Sequence, residues 1–351
     1  MSPVKSVGLA LGSGSSRGWA HIGAIEALEE ENIPINYIAG CSVGSYIGAI
    51  YASGSLKSLK NFVLRMDGKK VFSYFDVVFP RSGFLNATKK VKELFSMHTD
   101  VNDFSQLNIP LLMVATDLES GDKVVLRSGN LLHALRATMS MPGLFAPTNV
   151  KGRWLVDGGL VDPVPVGIAR AMGADVVIAV DLNSGLISRK DRKKIQKKIP
   201  GTDKKAGNRH EYKNELVQKL TDYYENAGAS LKKKINELLR QESSVPDIME
   251  TVTTSIGIMQ ERITRINLAV EPPDILIQPR LGELKMMDFD NVEHAIEEGY
   301  SGVKQQMEDI KALLEPNRGR RLEIEYSRSE AGDLKSEITG RRSETEKRES
   351  E

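Results

Sequence analysis

Short, almost wholly apolar runs alternate along this chain with longer stretches of helical character. Val4–Leu11 is the first such run, and it ends in Gly12-Ser13-Gly14. A run this short and this apolar predicts a buried parallel strand followed by a tight turn. Over Gly18–Glu31 the apolar positions Ile22, Ile25 and Leu28 are interleaved with Glu26, Glu29, Glu30 and Glu31, which predicts a helix. Ile35–Cys41 is a second short strand-like run. After Ser42, Val43–Ser53 is rich in Ala, Ile and Gly and stops at Gly54, a second helix. Strand, helix, strand, helix within the first fifty residues predicts an α/β protein whose parallel sheet is covered by helices.

Later runs continue the theme. Pro110–Thr116, Lys123–Leu126, Arg153–Val156, Asp175–Leu182 and Asp274–Gln278 read as strands, and Lys151-Gly152 as a turn between two short ones. Asn130–Met139 and Val164–Met172 read as helices, and Asn291–Leu314 as one final amphipathic helix. Two stretches break the pattern. Ser188–Gln241 is polar and strongly charged. Pro316–Glu351 is nearly all charge, Ser, Gly and Thr, and is expected to be disordered, because so few apolar groups cannot offset chain entropy. The expected organisation is a catalytic core over 7–187, a charged insertion over 188–244, a stretch over 245–315 that completes the same domain, and a tail over 316–351. The sequence shows no internal repeat.

Composition narrows the picture only a little. An apolar fraction of 40% over 351 residues is enough for a large core, and 27% charged residues is ordinary. A formal net charge of +1 gives no whole-molecule reason to expect nucleic acid as a partner. The single cysteine, Cys41, excludes an internal disulfide and suits a reducing compartment. No stretch approaches the roughly 20 apolar residues of a membrane span, and Val7–Leu11 is too short for a signal-peptide core. The expected location is cytoplasmic, with contact at a membrane surface as an added option.

Chemistry concentrates at three places. Gly40-Cys41-Ser42-Val43-Gly44 matches G-x-S-x-G between a predicted strand and a small-residue helix, the setting of a nucleophile elbow; the bland alternative is a serine N-cap. The loop Gly12-Ser13-Gly14-Ser15-Ser16-Arg17-Gly18 lies between the first strand and first helix. A dinucleotide fingerprint would want glycine where Arg17 stands and an acid at the end of the second strand, and a phosphate loop would want Gly-Lys-Ser/Thr; neither is present. The remaining reading is an oxyanion hole built from backbone N–H groups of Gly12, Ser13, Gly14 and Ser15. Arg17 serves there either to meet an anionic substrate or, preferably, to hold the loop by pairing with an acid. A serine hydroxyl needs a proton acceptor. His98, His133, His210 and His294 sit in contexts unrelated to the elbow. His21, one helical turn from the glycine loop, is the serious rival, with a local structural hydrogen bond as its preferred role. Asp157 ends a strand and precedes Gly158-Gly159, which leave its carboxylate open; Asp-Gly-Gly alone is more often a hairpin turn. A lone carboxylate base predicts activity that falls only in acid, with no step near the histidine pKa of about 6.5.

In this order the glycine loop (Gly12 to Gly18, with Arg17), the Ser42 motif (Gly40 to Gly44) and Asp157-Gly158-Gly159 resemble the patatin-like phospholipase family, especially its compact bacterial members. Ser140–Pro147 is similar to the family's Ser-x-Pro segment. The resemblance implies a three-layer α/β/α fold with a mostly parallel central sheet, a dyad of Ser42 as nucleophile and Asp157 as proton acceptor, an oxyanion hole in the glycine loop, no metal or organic cofactor, and an acyl-lipid or ester substrate. It leaves oligomeric state open. The competing functional class is a regulatory adaptor on the same fold, with an incidental site.

Two further stretches bear on lipid access. Arg189, Lys190, Arg192, Lys193, Lys194, Lys197 and Lys198 form a basic run that would attract an anionic membrane, at about 1 kcal/mol per basic group; a solvated loop is the commoner meaning of such a run. Val71–Phe79 is a candidate apolar lip for an acyl pocket, with buried core as its commoner meaning.

Overall fold

A computed structural model of the chain describes residues 5–65, 92–185, 248–286 and 288–315. The expectations for Val71–Phe79, for residues 188–244 and for the tail over 316–351 lie outside these described residues. The chain divides into two compact units, one of residues 1–186 and 257–351 and one of residues 187–256. Of the second, the described part is helical, residues 248–256.

The first unit is built on one sheet. Its elements are β1 (Val7–Leu11), α1 (Ala20–Glu30), β2 (Tyr37–Cys41), α2 (Val43–Ala52), α3 (Leu56–Arg65), β3 (Leu111–Asp117), β4 (Lys123–Leu126), α4 (Leu131–Thr138), β5 (Thr148–Val150), β6 (Arg153–Asp157), α5 (Val166–Ala171), β7 (Val176–Val180), α6 (Ile248–Val270, from Gly257 onward in this unit), β8 (Ile275–Ile277), α7 (Val292–Gln305) and α8 (Met307–Leu314). Strand order is β5-β6-β3-β2-β1-β7-β8, with β4 also on β3. The run β3-β2-β1-β7-β8 is parallel, and β4, β5 and β6 add antiparallel pairs at one end.

Side chains on the central strands alternate between two cores, as the period of two requires. Leu9, Leu11, Ile38, Ile178 and Val180 join one cluster with residues of α1, α2 and α7. Ala10, Ala39, Cys41, Val177 and Ala179 face the other way, toward Ile168 and Ala169 of α5 and Leu268 of α6. The small residues on that second face let α5 lie close to the sheet. Helix, sheet and helix make a three-layer α/β/α architecture.

Two expected elements differ in detail. The helix expected over Gly18–Glu31 begins as a 3-10 turn, Ser15–Trp19, and becomes α-helical only at Ala20, because the turn ties Arg17 N–H to the Gly14 carbonyl at 3.2 Å. The single helix expected over Asn291–Leu314 breaks at Gln306, whose side chain donates to the Leu276 carbonyl on β8 at 2.8 Å and turns the chain into α8. Lys151 and Gly152 both hold positive φ, 53° and 87°, as a two-residue hairpin turn between β5 and β6 demands.

The sheet places the site. Met113 pairs with β2 on one edge of β3 and with β4 on the other, and Ala115 pairs with β4 and with β6. So β2 and β6 occupy the same edge of β3 in succession, running toward each other. Cys41 pairs with Val114, and the next residue of β3, Ala115, pairs with Asp157. The carboxyl ends of two opposed strands meet there.

Candidate active site

The chain leaves β2 at Cys41 and enters α2 at Val43, and Ser42 makes the turn in a single residue. Its backbone holds φ 53° and ψ −122°. That region is costly for a residue with a Cβ, by about 1–3 kcal/mol. Gly44 permits the close return of α2 onto β1: a Cβ there would fall 2.1 Å from the Leu11 carbonyl oxygen. Gly40, next to last in β2, lies beneath Ser45, and Gly18 packs against Val43.

Across the strand junction, Asp157 Oδ2 accepts the Ser42 hydroxyl at 2.6 Å. Asp157 is held on every side. Its Oδ1 accepts the Gly159 N–H at 2.8 Å, its N–H donates to the Ser140 carbonyl at 3.0 Å, and its carbonyl accepts the Thr116 hydroxyl at 2.9 Å. Gly158 and Gly159 lead the chain away in a 3-10 turn. Burial raises the Asp157 carboxyl to a pKa of about 6, against the opposing pull of the Ser42 and Gly159 hydrogen bonds. The carboxylate is therefore a stronger base than a solvated one, and poised near neutral pH.

The glycine loop lies beside this pair. Its amides are not equivalent. Gly12 N–H donates to the Val180 carbonyl at 3.0 Å and Ser13 N–H to the Pro163 carbonyl at 2.8 Å. Gly14 and Ser15 N–H have no acceptor among the described residues, nor does Val43 N–H at the start of α2. The loop is braced from behind: Asn183 Nδ2 donates to the Ser13 carbonyl at 3.1 Å, and Ser13 Oγ lies 3.3 Å from Gln260 Oε1 on α6. Arg17 is 1% exposed and its Nε donates to the Gly14 carbonyl at 3.2 Å. Burial lowers its pKa to about 10, with Asp181 and Glu261 pulling it back. Arg17 therefore holds the loop and presents no charge to solvent.

His21 is fully buried, and its Nε2 lies 2.7 Å from the Gly12 carbonyl, so that nitrogen carries the proton. Burial lowers its pKa to about 4. The ring secures the loop, as its local structural role requires, and lies on a different partner from Ser42. His98 bonds Ser58 Oγ at 2.9 Å and His133 lies on α4, both away from the serine; His210 is outside the described residues. Among the described residues no group of His, Cys, Asp and Glu is arranged to hold a metal ion.

Ser42 and Ser15 open onto a small cleft walled, among the described residues, by Val43, Met139, Met141, Leu144, Phe145 and Phe289. These six residues are apolar, which suits a hydrocarbon group next to the hydroxyl. Among the described residues no helix is long and apolar enough to cross a membrane. Sequence reasoning did not find Phe289, Gln260, Thr116 or Thr138. The first two come from chain segments more than 200 residues from Ser42, and the two threonines carry no local pattern that sets them apart.

Residues 9–170 match the patatin-like phospholipase family model. An uncharacterized NTE family protein of Mycobacterium tuberculosis is 40% identical over 177 residues, 50% of this chain and 49% of that one. Lysophospholipase NTE1 of Coccidioides immitis is 36% identical over 187 residues, 51% of this chain and 12% of that one, and human patatin-like phospholipase domain-containing protein 6 is 32% identical over 185 residues, 51% and 13%. The chain thus spans about half the length of the mycobacterial relative and a much smaller share of the other two. Among solved structures, VipD from Legionella pneumophila aligns with a TM-score of 0.45 at 14% identity, over 88% of this chain and 67% of that one. The matched stretch, residues 9–170, holds the glycine loop, Ser42 and Asp157, and is similar to the patatin-like phospholipase family.

Proposed function

We propose that the chain hydrolyses carboxylic esters of acyl lipids through a Ser42–Asp157 dyad. The observation that carries this reading is the 2.6 Å hydrogen bond from Ser42 Oγ to a buried carboxylate at the head of an apolar cleft. Ser42 Oγ attacks the acyl carbonyl carbon as its proton passes to Asp157 Oδ2. The carbonyl oxygen takes the negative charge, and the unpaired N–H groups of Gly14, Ser15 and Val43 are the donors available to meet it. Gly12 and Ser13 shape the loop and do not donate. The tetrahedral species collapses, the ester C–O bond breaks, and the departing alcohol leaves with the proton from Asp157. Water then attacks the acyl-serine with Asp157 again as base, which releases the fatty acid and restores the hydroxyl. The acyl chain lies along Met139, Met141 and Phe289. Lipid acyl esters are favoured over small polar esters because the six described wall residues beyond the two serines are apolar.

The test is hydrolysis of a p-nitrophenyl acyl ester and labelling by a fluorophosphonate probe, in wild type and Ser42→Ala. Wild type is expected to turn over and label, and Ser42→Ala to do neither while keeping its circular dichroism spectrum. Wild type that labels no faster than Ser42→Ala would leave the adaptor reading standing instead.

A further inference from the structure

Behind the nucleophile lies a hydroxyl that the reaction above does not use. Thr138, the last residue of α4, is fully buried. Its Oγ1 accepts the Ser42 backbone N–H at 3.0 Å, donates to the Val114 carbonyl, and lies 3.2 Å from Ser45 Oγ. A threonine hydroxyl has one proton and two acceptor positions. With the proton committed to Val114, the Ser45 contact is a donation from Ser45, and every capacity is filled.

The partners are what give this node meaning. Ser42 stands in a conformation that persists only where its surroundings over-determine it. Ser45 N–H and Tyr46 N–H fix the Ser42 carbonyl from the helix side, at 2.9 and 3.2 Å, but nothing in the helix can take the Ser42 N–H. Thr138 takes it. Relaxing φ toward an ordinary value would pull the N–H off Thr138 or swing Cβ, and Oγ with it, away from Asp157. Val114, the residue Thr138 leans on, pairs with Cys41 immediately before Ser42 and adjoins Ala115, the partner of Asp157. One hydroxyl therefore ties the serine main chain to the strand position that sets the register of the carboxylate.

We propose that Thr138 is a positioning residue: its hydroxyl holds the Ser42 main chain in the strained state from which Oγ reaches Asp157. The inference rests on the ester-hydrolase reading. The experiment measures the rate constant and the endpoint of fluorophosphonate labelling, with kcat and KM for a p-nitrophenyl acyl ester, in wild type, Thr138→Val, Thr138→Ser and Ser42→Ala. A misplacement of about 1 Å costs on the order of 10²-fold in rate, so Thr138→Val is expected to lower the labelling rate constant and kcat by about 10- to 100-fold with KM nearly unchanged. The labelling endpoint stays that of wild type, because the protein that is present is folded and still reacts, only slowly. Thr138→Ser is expected within about threefold of wild type, since the hydroxyl and not the methyl carries the effect. If Thr138→Val does not fold, Thr138→Ala takes its place. A valine or alanine variant that labels at the wild-type rate overturns the proposal, and so does a serine variant as slow as either. A lowered endpoint at an unchanged rate constant shows loss of folded protein and equally overturns it. Wild type indistinguishable from Ser42→Ala would instead sink the ester-hydrolase reading.

Discussion

Asp157 shows how far a single environment sets chemistry. As a solvated acid it would lose its charge near pH 3.9, and activity would fall only in strong acid. Burial raises it to about 6, next to the range of an ordinary imidazole, while His21 is moved in the opposite sense to about 4. The acid limb of the rate profile is therefore expected at about pH 6, close to where a histidine base would place it, so a profile alone does not separate the two assignments. Substitution does. Asp157→Asn is expected to lose essentially all ester hydrolysis, because the amide keeps the shape and cannot take the proton. His21→Gln is expected to retain turnover, having a side-chain N–H for the Gly12 carbonyl. An active Asn variant beside a dead Gln variant would transfer the role of base to His21. Ser42 and Asp157, which the fold brings into hydrogen-bond contact, stand out in the sequence because each lies at a strand end near glycine. The value of the pKa was not legible there, because it depends on what covers the carboxyl. Nor was the division of labour in the loop, because Gly12 and Ser13 are spent on carbonyls of Val180 and Pro163 that only the sheet brings near.

Elements were legible where their apolar period is strong and their partners are local. β1, β2 and β7 are runs buried on both faces, and α2 is written in small residues. The Lys151-Gly152 hairpin carries its own turn chemistry. What failed was what a distant partner decides: the break at Gln306 comes from β8, and the 3-10 opening of α1 comes from the loop it must follow. The pairing of α1 with α7 is of the same kind. A Cβ on Gly299 would fall 1.9 Å from the Ala20 carbonyl oxygen, and one on Gly23 would fall 1.9 Å from that of Ile296. Each helix thus presses a glycine onto the other's backbone. Backbone cannot step aside as a side-chain tip can, so Gly299→Ala is expected to destabilise by about 1–3 kcal/mol, despite the better helix propensity of alanine. Gly302→Ala in the same helix is the control, since its Cβ meets only the Ile277 side chain, at 3.0 Å. Urea midpoints read both. Equal midpoints for the two variants would show that the α1–α7 contact is not as close as described.

The whole molecule carries a stability cost for keeping the Asp157 carboxyl dry, and the cost has a pH signature. Asp157 has a folded pKa of about 6, above the unfolded value of about 3.9. The folded state therefore binds more protons between these values, and stability falls as pH rises through the window, by about 3 kcal/mol. His21 has a folded pKa of about 4, below its unfolded value of about 6.5. There the unfolded state binds more protons, and stability rises with pH through nearly the same window, again by about 3 kcal/mol. The two buried groups, one beside Ser42 and one behind the glycine loop, cancel each other between about pH 4 and 6.5. Asp157→Asn removes one side of this balance. At pH 4.5 the variant is expected to match wild type closely, because Asp157 is mostly protonated in the fold and the amide replaces it with little change. At pH 8 the variant is expected to be more stable, by up to about 3 kcal/mol, because it no longer has to ionise a carboxyl cut off from water. Its own stability should climb with pH across the window as the His21 contribution stands uncovered. Urea unfolding of both proteins at pH 4.5, 6 and 8 measures this directly. The difference between them isolates Asp157 from every other titrating group. A difference that stays constant with pH would mean that Asp157 ionises in the fold as easily as in water, which would remove both the stability cost and the raised base strength on which the dyad depends.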